Sequence, residues 1–316
     1  MLSVIICTHN PKPDYLRRVL DALRAQTLPQ DQWELIMIDN ASRETLAEGW
    51  NISWHPRAQC VREDRLGLAF ARARGISEAI GSLLVFVDDD NVLDANYLEE
   101  ALRLAEAWPQ LAVIGGAILP EFEVEPPQYL REHLRMLALR DVQEPRWSNV
   151  GACDQATPWG AGMCVRRVTA LAYKAHLKST ELKLTDRSGT SLLSGGDDEF
   201  SYIACSMGFG RGIFPQLRLT HLISSGRLRP DYLVRLAHGM NISHIMLAYK
   251  WQGSALCSPL RFRRLASLVY DLIVFRGLNR RMRFARFRAE IDAYRIIRSS
   301  QIHGPALTNK VSKPPS

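Results

Sequence analysis

The sequence predicts an α/β protein: a mostly parallel central sheet with helices on both faces, followed by a helical extension. Over residues 2–120, short apolar runs alternate with segments of 3.6-residue periodicity, as parallel strands joined by crossover helices require. Two of those runs, residues 33–38 and 83–87, end on acids at Asp39 and Asp88, which gathers polar groups at one sheet edge and makes a crevice above it. Beyond Arg229 the patterning is helical throughout.

Taken in order, the first apolar run, residues 2–7, gives way to the turn Thr8, His9, Asn10, Pro11. A helix then sets Leu16, Val19, Leu20 and Leu23 at i, i+3, i+4 and i+7, with Pro29 beyond its end. After the strand at 33–38 comes a short one near 59–62. The helix over 67–80 then places Ala69, Ala73, Ile76 and Ile80 on one face and turns Arg72 and Arg74 away from it. A strand at 83–87, buried on both faces, runs into Asp88, Asp89 and Asp90, and a helix over 94–108 is stopped by Pro109 before the strand at 111–118. From Pro120 to Asp154 the alternation breaks around Pro126, Pro127 and Pro145, with one helix near 129–140. A Gly-rich loop at 157–162, a short strand at 163–165, a helix near 168–177, a helix at 200–207 and a strand at 217–222 complete the body. Gly208, Gly210 and Gly212 follow a helix rather than a strand and lack a lysine, so they do not make a phosphate loop.

With 316 residues, 47% hydrophobic and 23% charged, the chain is an ordinary globular protein, long enough for one large α/β domain and an appendage or for two modest domains. The net charge of +7 is local: eleven arginines between 261 and 298 stand against Asp271, Glu290 and Asp292, and the rest is close to neutral. Without aromatics interleaved in a groove-like pattern, that basicity does not read as nucleic-acid binding. Cys7, Cys60, Cys153, Cys164, Cys205 and Cys257 lie scattered, with no C-x-x-C pair or zinc-like spacing, and read as reduced thiols. The opening on an apolar strand predicts no signal peptide and a cytoplasmic chain, which leaves the glycosylation patterns at Asn51 and Asn241 silent. The longest apolar run, 265–275, is interrupted by Ser267 and Asp271 and falls short of the roughly 18–20 residues of a spanning helix.

Three consecutive carboxylates at a buried strand end repel one another, and a bound cation or a large pKa shift relieves them. At the carboxyl end of a strand, a divalent metal with oxygen ligands is the natural partner. The alternative is an acidic turn leading into the helix at Asp94.

The runs VIICTHN (residues 4–10), Gln26 with Thr27, LIMIDNAS (35–42), RLGLAFARARG (65–75) and VFVDDD (85–90) resemble family 2 glycosyltransferases of the GT-A fold in order and spacing. Residues 160–163, 196–199 and His221 extend the likeness to about residue 225. The ordered set carries the resemblance; no single motif does.

The resemblance implies a metal-dependent, inverting hexosyl transfer from a nucleotide-diphosphate sugar, most often a UDP-sugar, to a saccharide or lipid-linked saccharide in cell-surface polysaccharide assembly. Asp88 and Asp90 become the DxD-type carboxylates. Asp90 then contacts Mn²⁺ or Mg²⁺ bridging the diphosphate, Asp88 the ribose or a metal-bound water, and His221 stands where relatives carry a third ligand. A metal there neutralises the charge that develops on the leaving diphosphate. A hydrogen-bonded strand-end histidine is the other reading of His221.

By the same likeness Thr8, Asn10, Asp39 and Asn40 line the nucleotide pocket, and Arg65, Asp88 and Asp89 face the donor. Cys7 and His9 replace the Pro and Tyr of many relatives, which weakens a base-stacking role. Asp39 also reads as a helix cap, and Arg72 as either a phosphate contact or a solvated surface residue. An inverting transfer needs a carboxylate to take the acceptor hydroxyl's proton. Counting three back from Phe200 gives Asp197, whereas aligning Gly195 and Gly196 with a longer family version gives Asp198. Trp159, Gly160 and Glu199 fall on the acceptor side, Trp159 reading equally as a core residue beside a tight turn.

The expected organisation is a catalytic domain over 1–225, its donor half 1–120 and acceptor half 121–225, then a basic helical extension over 226–316 with a frayed end. Leu265, Leu268, Val269, Leu272, Ile273 and Phe275 among arginines suit a helix lying on an anionic membrane surface, or else a cap packed on the body. A nucleotidyltransferase or dinucleotide-dependent oxidoreductase would need glycines after the first strand, which residues 8–12 lack. A non-catalytic nucleotide-sugar-binding protein would have no use for both Asp197 and Asp198.

Overall fold

A computed structural model of the chain describes residues 1–151, 154–179, 192–256, 258–259 and 262–303. Cys153, Cys257, Arg261 and the expected frayed end lie outside the described residues.

The first half runs β1 (Leu2–Thr8), α1 (Pro13–Arg24), β2 (Trp33–Asn40), α2 (Leu46–Gly49), β3 (Ala58–Glu63), α3 (Leu68–Glu78), β4 (Leu83–Asp88), β5 (Asn91–Leu93), α4 (Tyr97–Ala107) and β6 (Leu111–Phe122). There follow β7 (Arg146–Ser148), β8 (Cys164–Arg166), α5 (Arg167–Ser179), α6 (Gly196–Ser206) and β9 (Gly210–Ile223), then α7 (Pro230–Gln252), α8 (Phe262–Val274) and α9 (Gly277–His303). Pro13 sits in the first turn of α1, where its missing N–H has no helical partner to lose, and Leu16, Val19, Leu20 and Leu23 are buried as the spacing predicts.

The strands form one mixed sheet in the order β3-β2-β1-β4-β8-β6-β9-β5, with β7 also on β9. β3, β2, β1 and β4 are mutually parallel, while β8 runs against both β4 and β6. The register sets Thr8 beside Asp39 and Cys7 beside Asp88, so the strand ends read from sequence do meet at one edge. β9 is longer than its apolar core suggests and bends: its register on β6 slips between Gly116 and Ala117, where β9 carries Pro215, Gln216 and Leu217 out of the ladder. Only a glycine fits opposite, because a Cβ at position 116 would run into the Leu217 carbonyl oxygen. Before the bend β9 pairs with β7; beyond it β9 pairs with β5 and sets His221 opposite Asn91.

Two sequence expectations are corrected. The buried face of α3 is Ala71, Arg72, Gly75 and Ile76, while Ile80 is 65% exposed. Gly75 explains this: a Cβ there would lie 2.5 Å from Ile5 Cγ2, so the helix approaches β1 through its glycine, a contact that apolar periodicity does not register. The segment near 129–140 is a 3₁₀ turn over Gln128–Leu137 that buries Leu130 and Leu137. It ends at Ala138 in the left-handed region, φ 57°, and this turn hands Arg140 to a bridge with Ile118 at the edge of β6.

The extension divides its labour. α9 packs on α7, where Ala289, Ala293 and Ile297 meet Ile242, Met246 and Leu247. α8 is held to α9 by the ion pairs Arg264–Glu290 and Arg283–Asp271, yet leaves Leu265, Val269, Tyr270, Ile273 and Val274 open to solvent. Among the described residues no helix is long and apolar enough to cross a membrane.

Candidate active site

Above the strand ends of β1 and β4 lies a crevice of about 390 Å³. Its floor is Thr8, Asp88, Asp89 and Asp90; its far wall is Trp159, Gly160, Asp197 and Asp198. Thr8 Oγ1 donates a short hydrogen bond to Asp89. Burial, then the charge of Asp90, pushes the Asp89 carboxyl up to about 7, with the Thr8 hydrogen bond acting the other way and Asp88 adding to the rise. Cys7, also on this wall, is an inert thiol: burial pushes it up to about 12, Arg72 opposing and Asp88 and Asp89 reinforcing.

Asp90 is buried and faces two side chains, one near the end of β9 and one just beyond it. His221 Nε2 stands 3.5 Å from Asp90 Oδ2, and Arg227, on the 3₁₀ turn Ser225–Leu228, reaches the same oxygen at 2.9 Å. Arg227 Nη1 also donates to His221 Nε2 at 2.8 Å, while His221 Nδ1 is buried without a hydrogen bond in the structure. Burial disfavours the Arg227 cation, but the combined attraction of Asp90, Tyr232, Asp88 and Asp89, Asp90 first among them, holds the guanidinium above its usual value. Sequence reasoning missed this residue. Its signal was a basic residue among Leu222, Ile223 and Leu228, a few positions past the strand-end histidine.

The far wall is built from two loops. The one before β8 is pinned by Gly162, φ 69°, whose carbonyl accepts from Tyr97 Oη at 2.7 Å. Its Gly160 N–H donates to Asp197 Oδ2 at 3.0 Å. A Cβ on Gly160 would lie 2.8 Å from Arg72 Nη2, so glycine lets Arg72, Asp197 and the loop converge. Arg72 therefore faces the crevice, contrary to its expected outward direction, with 4% of its surface exposed. Asp197 and Asp198 stand in the first turn of α6, where the helix dipole favours negative charge. One face of the Trp159 indole is covered by the Arg140 guanidinium, 3.8 Å from the ring centroid, and Arg140 donates to the Thr157 carbonyl at 2.6 Å.

Four expected site residues lie outside the crevice walls. Glu199, fully buried, points the other way into the body, where Lys250 of α7 approaches it at 2.5 Å and His176 of α5 at 3.5 Å; half a helical turn beyond Asp197, it cannot share that face. Asp39 does the work of a cap: its oxygens accept from the amides of Ser42 at 2.9 Å and Leu46 at 3.4 Å, and it pairs with Arg62 at 2.8 Å. Arg65 is exposed and committed to buried Glu63 at 2.8 Å. Asn10, at φ 48°, is at the lip, accepting from the Arg43 amide at 2.9 Å. Asn40 lines the crevice and also braces it, donating to the Glu63 and Arg65 carbonyls at 3.1 and 2.8 Å and accepting from the Gly67 amide at 2.8 Å.

Residues 3–158 match the model of glycosyl transferase family 2. This region belongs to that family. Among curated relatives, EpsH of Bacillus subtilis is 29% identical over 125 residues, 39% of this chain and 35% of that protein. The glucosyl-dolichyl phosphate glucuronosyltransferase of Haloferax volcanii is 21% identical over 140 residues, 43% of this chain and 44% of that protein. The chain thus matches well under half the length of these relatives. Among solved structures, residues 1–349 of S. aureus TarS, in complex with UDP-GlcNAc, align over 97% of this chain and 93% of that one, with a TM-score of 0.50 and 15% identity. The shared architecture is the GT-A fold, here followed by C-terminal helices.

Among the described residues no three His, Cys, Asp or Glu side chains converge as a ready metal site. The donor chemistry is nevertheless suited to one: hard carboxylate oxygens at Asp88 and Asp90, and an imidazole nitrogen 3.5 Å from Asp90 Oδ2, a spacing that two ligands of one ion at about 2.1 Å can adopt. The Arg227 guanidinium now lies between them.

Proposed function

We propose that the chain transfers a sugar, with inversion, from a uridine-diphosphate sugar to a hydroxyl of a saccharide or lipid-linked saccharide in cell-surface polysaccharide assembly. The observation that carries this reading is the opposition, across one crevice, of a cation-demanding acidic floor and a carboxylate wall held by the Gly160 amide. The TarS structure, solved with UDP-GlcNAc, supports a uridine donor, and the Haloferax relative, whose name includes dolichyl phosphate, supports a lipid-linked acceptor.

In this reading residues 1–120 hold the donor and 121–225 the acceptor, with His221 and Arg227 returning to the donor side. Arg72 and Arg227 face the diphosphate. Asp90 and His221, with Asp88, would hold Mn²⁺ or Mg²⁺ once Arg227 turns aside, and the ion when bound supplies charge neutralisation at the leaving group. Asp197, oriented by the Gly160 amide, takes the acceptor hydroxyl's proton as that oxygen bonds to the anomeric carbon. The bond from that carbon to the diphosphate oxygen breaks, and the nucleoside diphosphate leaves with the electron pair.

A thermal-shift panel of UDP, GDP, dTDP and CMP, each with and without Mn²⁺, tests the donor. UDP with Mn²⁺ is expected to stabilise the protein, by about 2.7 kcal/mol at a hundred times its Kd, and to lose that effect in Asp90→Ala. No shift with any nucleotide would sink the reading in favour of a retained scaffold.

The outward row Leu265, Val269, Tyr270, Ile273 and Val274 on α8, with exposed Arg263, Arg276 and Arg280 nearby in sequence, supports peripheral binding to an anionic membrane. The full chain is expected to pellet with phosphatidylglycerol vesicles, and the Val269→Glu, Ile273→Glu double variant to stay in the supernatant. Equal partition of the two would remove the membrane role.

A further inference from the structure

A second cavity, of about 480 Å³, opens between α7 and α9, behind the segment that leads into α6. Its size lies within the range of small-molecule sites, about 300–1,000 Å³, and it is a pocket rather than a flat patch. We propose that it binds one lipid chain bearing a phosphate, the apolar floor taking the chain and the arginines at its mouth taking the phosphate.

The floor is apolar on both sides. From α7 come Val234 and Ile242, and from α9 come Ala285, Phe284 and Ile296. Phe284 and Ile296 are 45% and 37% exposed although large and apolar. They flank, rather than join, the stripe Ala289, Ala293 and Ile297 that seats α9 on α7. An alkyl or isoprenyl chain laid over them gains the burial that the helix pair leaves undone.

The charges are arranged for an anion. His238, on the α7 side, is matched by Asp292 at 2.9 Å, and Arg281 is paired with Asp231. Arg235 and Arg288 line the cavity from facing helices and are exposed; the charge of Arg235 also acts on Asp231, whose hydrogen bond goes to Arg281, so the arginines at the mouth outnumber the acid beside them. Two guanidiniums from opposite sides suit a phosphate monoester, whose oxygens accept paired N–H donors. A neutral lipid would leave them unused.

The cavity adjoins the crevice. Leu192 and Leu193 line the one, and Ser194 and Asp197, immediately beyond, line the other. α7 is pressed against this partition, since a Cβ on Gly239 would collide with the Leu192 carbonyl oxygen. Assigning the bound lipid as the carrier of the acceptor sugar rests on the proposed transferase reading; the binding itself does not.

The test uses the full chain and farnesyl phosphate below its aggregation threshold, followed by titration calorimetry, with farnesol and inorganic phosphate as separate arms. Saturable binding of farnesyl phosphate is expected, at least tenfold tighter than farnesol. It should fall at least tenfold in Arg235→Gln, Arg288→Gln and in Ala285→Trp, which fills the floor, while the UDP thermal shift of each variant is unchanged. No binding by the folded wild type would overturn the proposal, as would equal affinity for farnesol, competition by inorganic phosphate alone, or variants that bind like wild type. Farnesyl phosphate binding without any UDP shift would leave the lipid site standing and overturn the transferase reading instead.

Discussion

Replacing Asp197 by Asn is expected to lower kcat by roughly 10² to 10⁴ and to leave the UDP thermal shift nearly intact. The amide keeps the shape of the side chain but cannot accept the acceptor's proton, so the loss falls on the chemical step. Asp197 Oδ2 accepts from the Gly160 N–H at 3.0 Å, which orients the carboxylate within the wall that also holds Trp159. Asp198→Asn is expected to cost less than tenfold. If Asp198→Asn carries the large loss and Asp197→Asn the small one, the base is Asp198, and the Gly160 contact serves only to fix α6. Steady-state rates with a saturating UDP-sugar donor, read beside the thermal shift, separate these outcomes.

The second large effect is on folding. Glu199 is fully buried, and although burial alone would raise its carboxyl, the nearby His176 imidazole and the charge and hydrogen bond of Lys250 hold it below the usual carboxylate range. Its folded value therefore lies below its unfolded one. The stability it contributes is present above about pH 4.3, the unfolded value, and is lost as pH falls through the folded value. Lys250→Met strands the carboxylate in the interior and is expected to cost about 3–5 kcal/mol at pH 7.5. Without Lys250, burial dominates and raises the carboxyl, so protonation relieves the variant while it penalises the wild type. The deficit should shrink between pH 7.5 and 5 in urea melts. A deficit below about 1 kcal/mol at pH 7.5, or one indifferent to pH, would show that the pair is not what ties α7 to α6.

What the sequence made legible, it did through periodicity and through strand ends. Leu16, Val19, Leu20 and Leu23 announced α1, and the uninterrupted apolar runs before Asp39 and Asp88 announced buried parallel strands. What it hid depended on partners distant in the chain. Arg72 faces the crevice because Gly75 draws α3 onto β1, and a count of apolar side chains assigns no weight to a glycine. Glu199 shares a short acidic run with Asp197 and Asp198 but sits where Lys250, fifty-one positions away, can reach it. Arg227 gains meaning only when β9 has brought His221 to Asn91.

The bend in β9 has a consequence for how damage at this protein would present. One strand is both a rafter of the core and the arm that carries His221 and Arg227 to the acids, and the joint between these duties is Gly116. A residue there is no part of the crevice lining. Yet a methyl group at that joint would press on the carbonyl oxygens of Leu217 and Phe214, on both sides of the bend, and shift His221 and Arg227 against the acids, a lesion that no inspection of the crevice walls would single out.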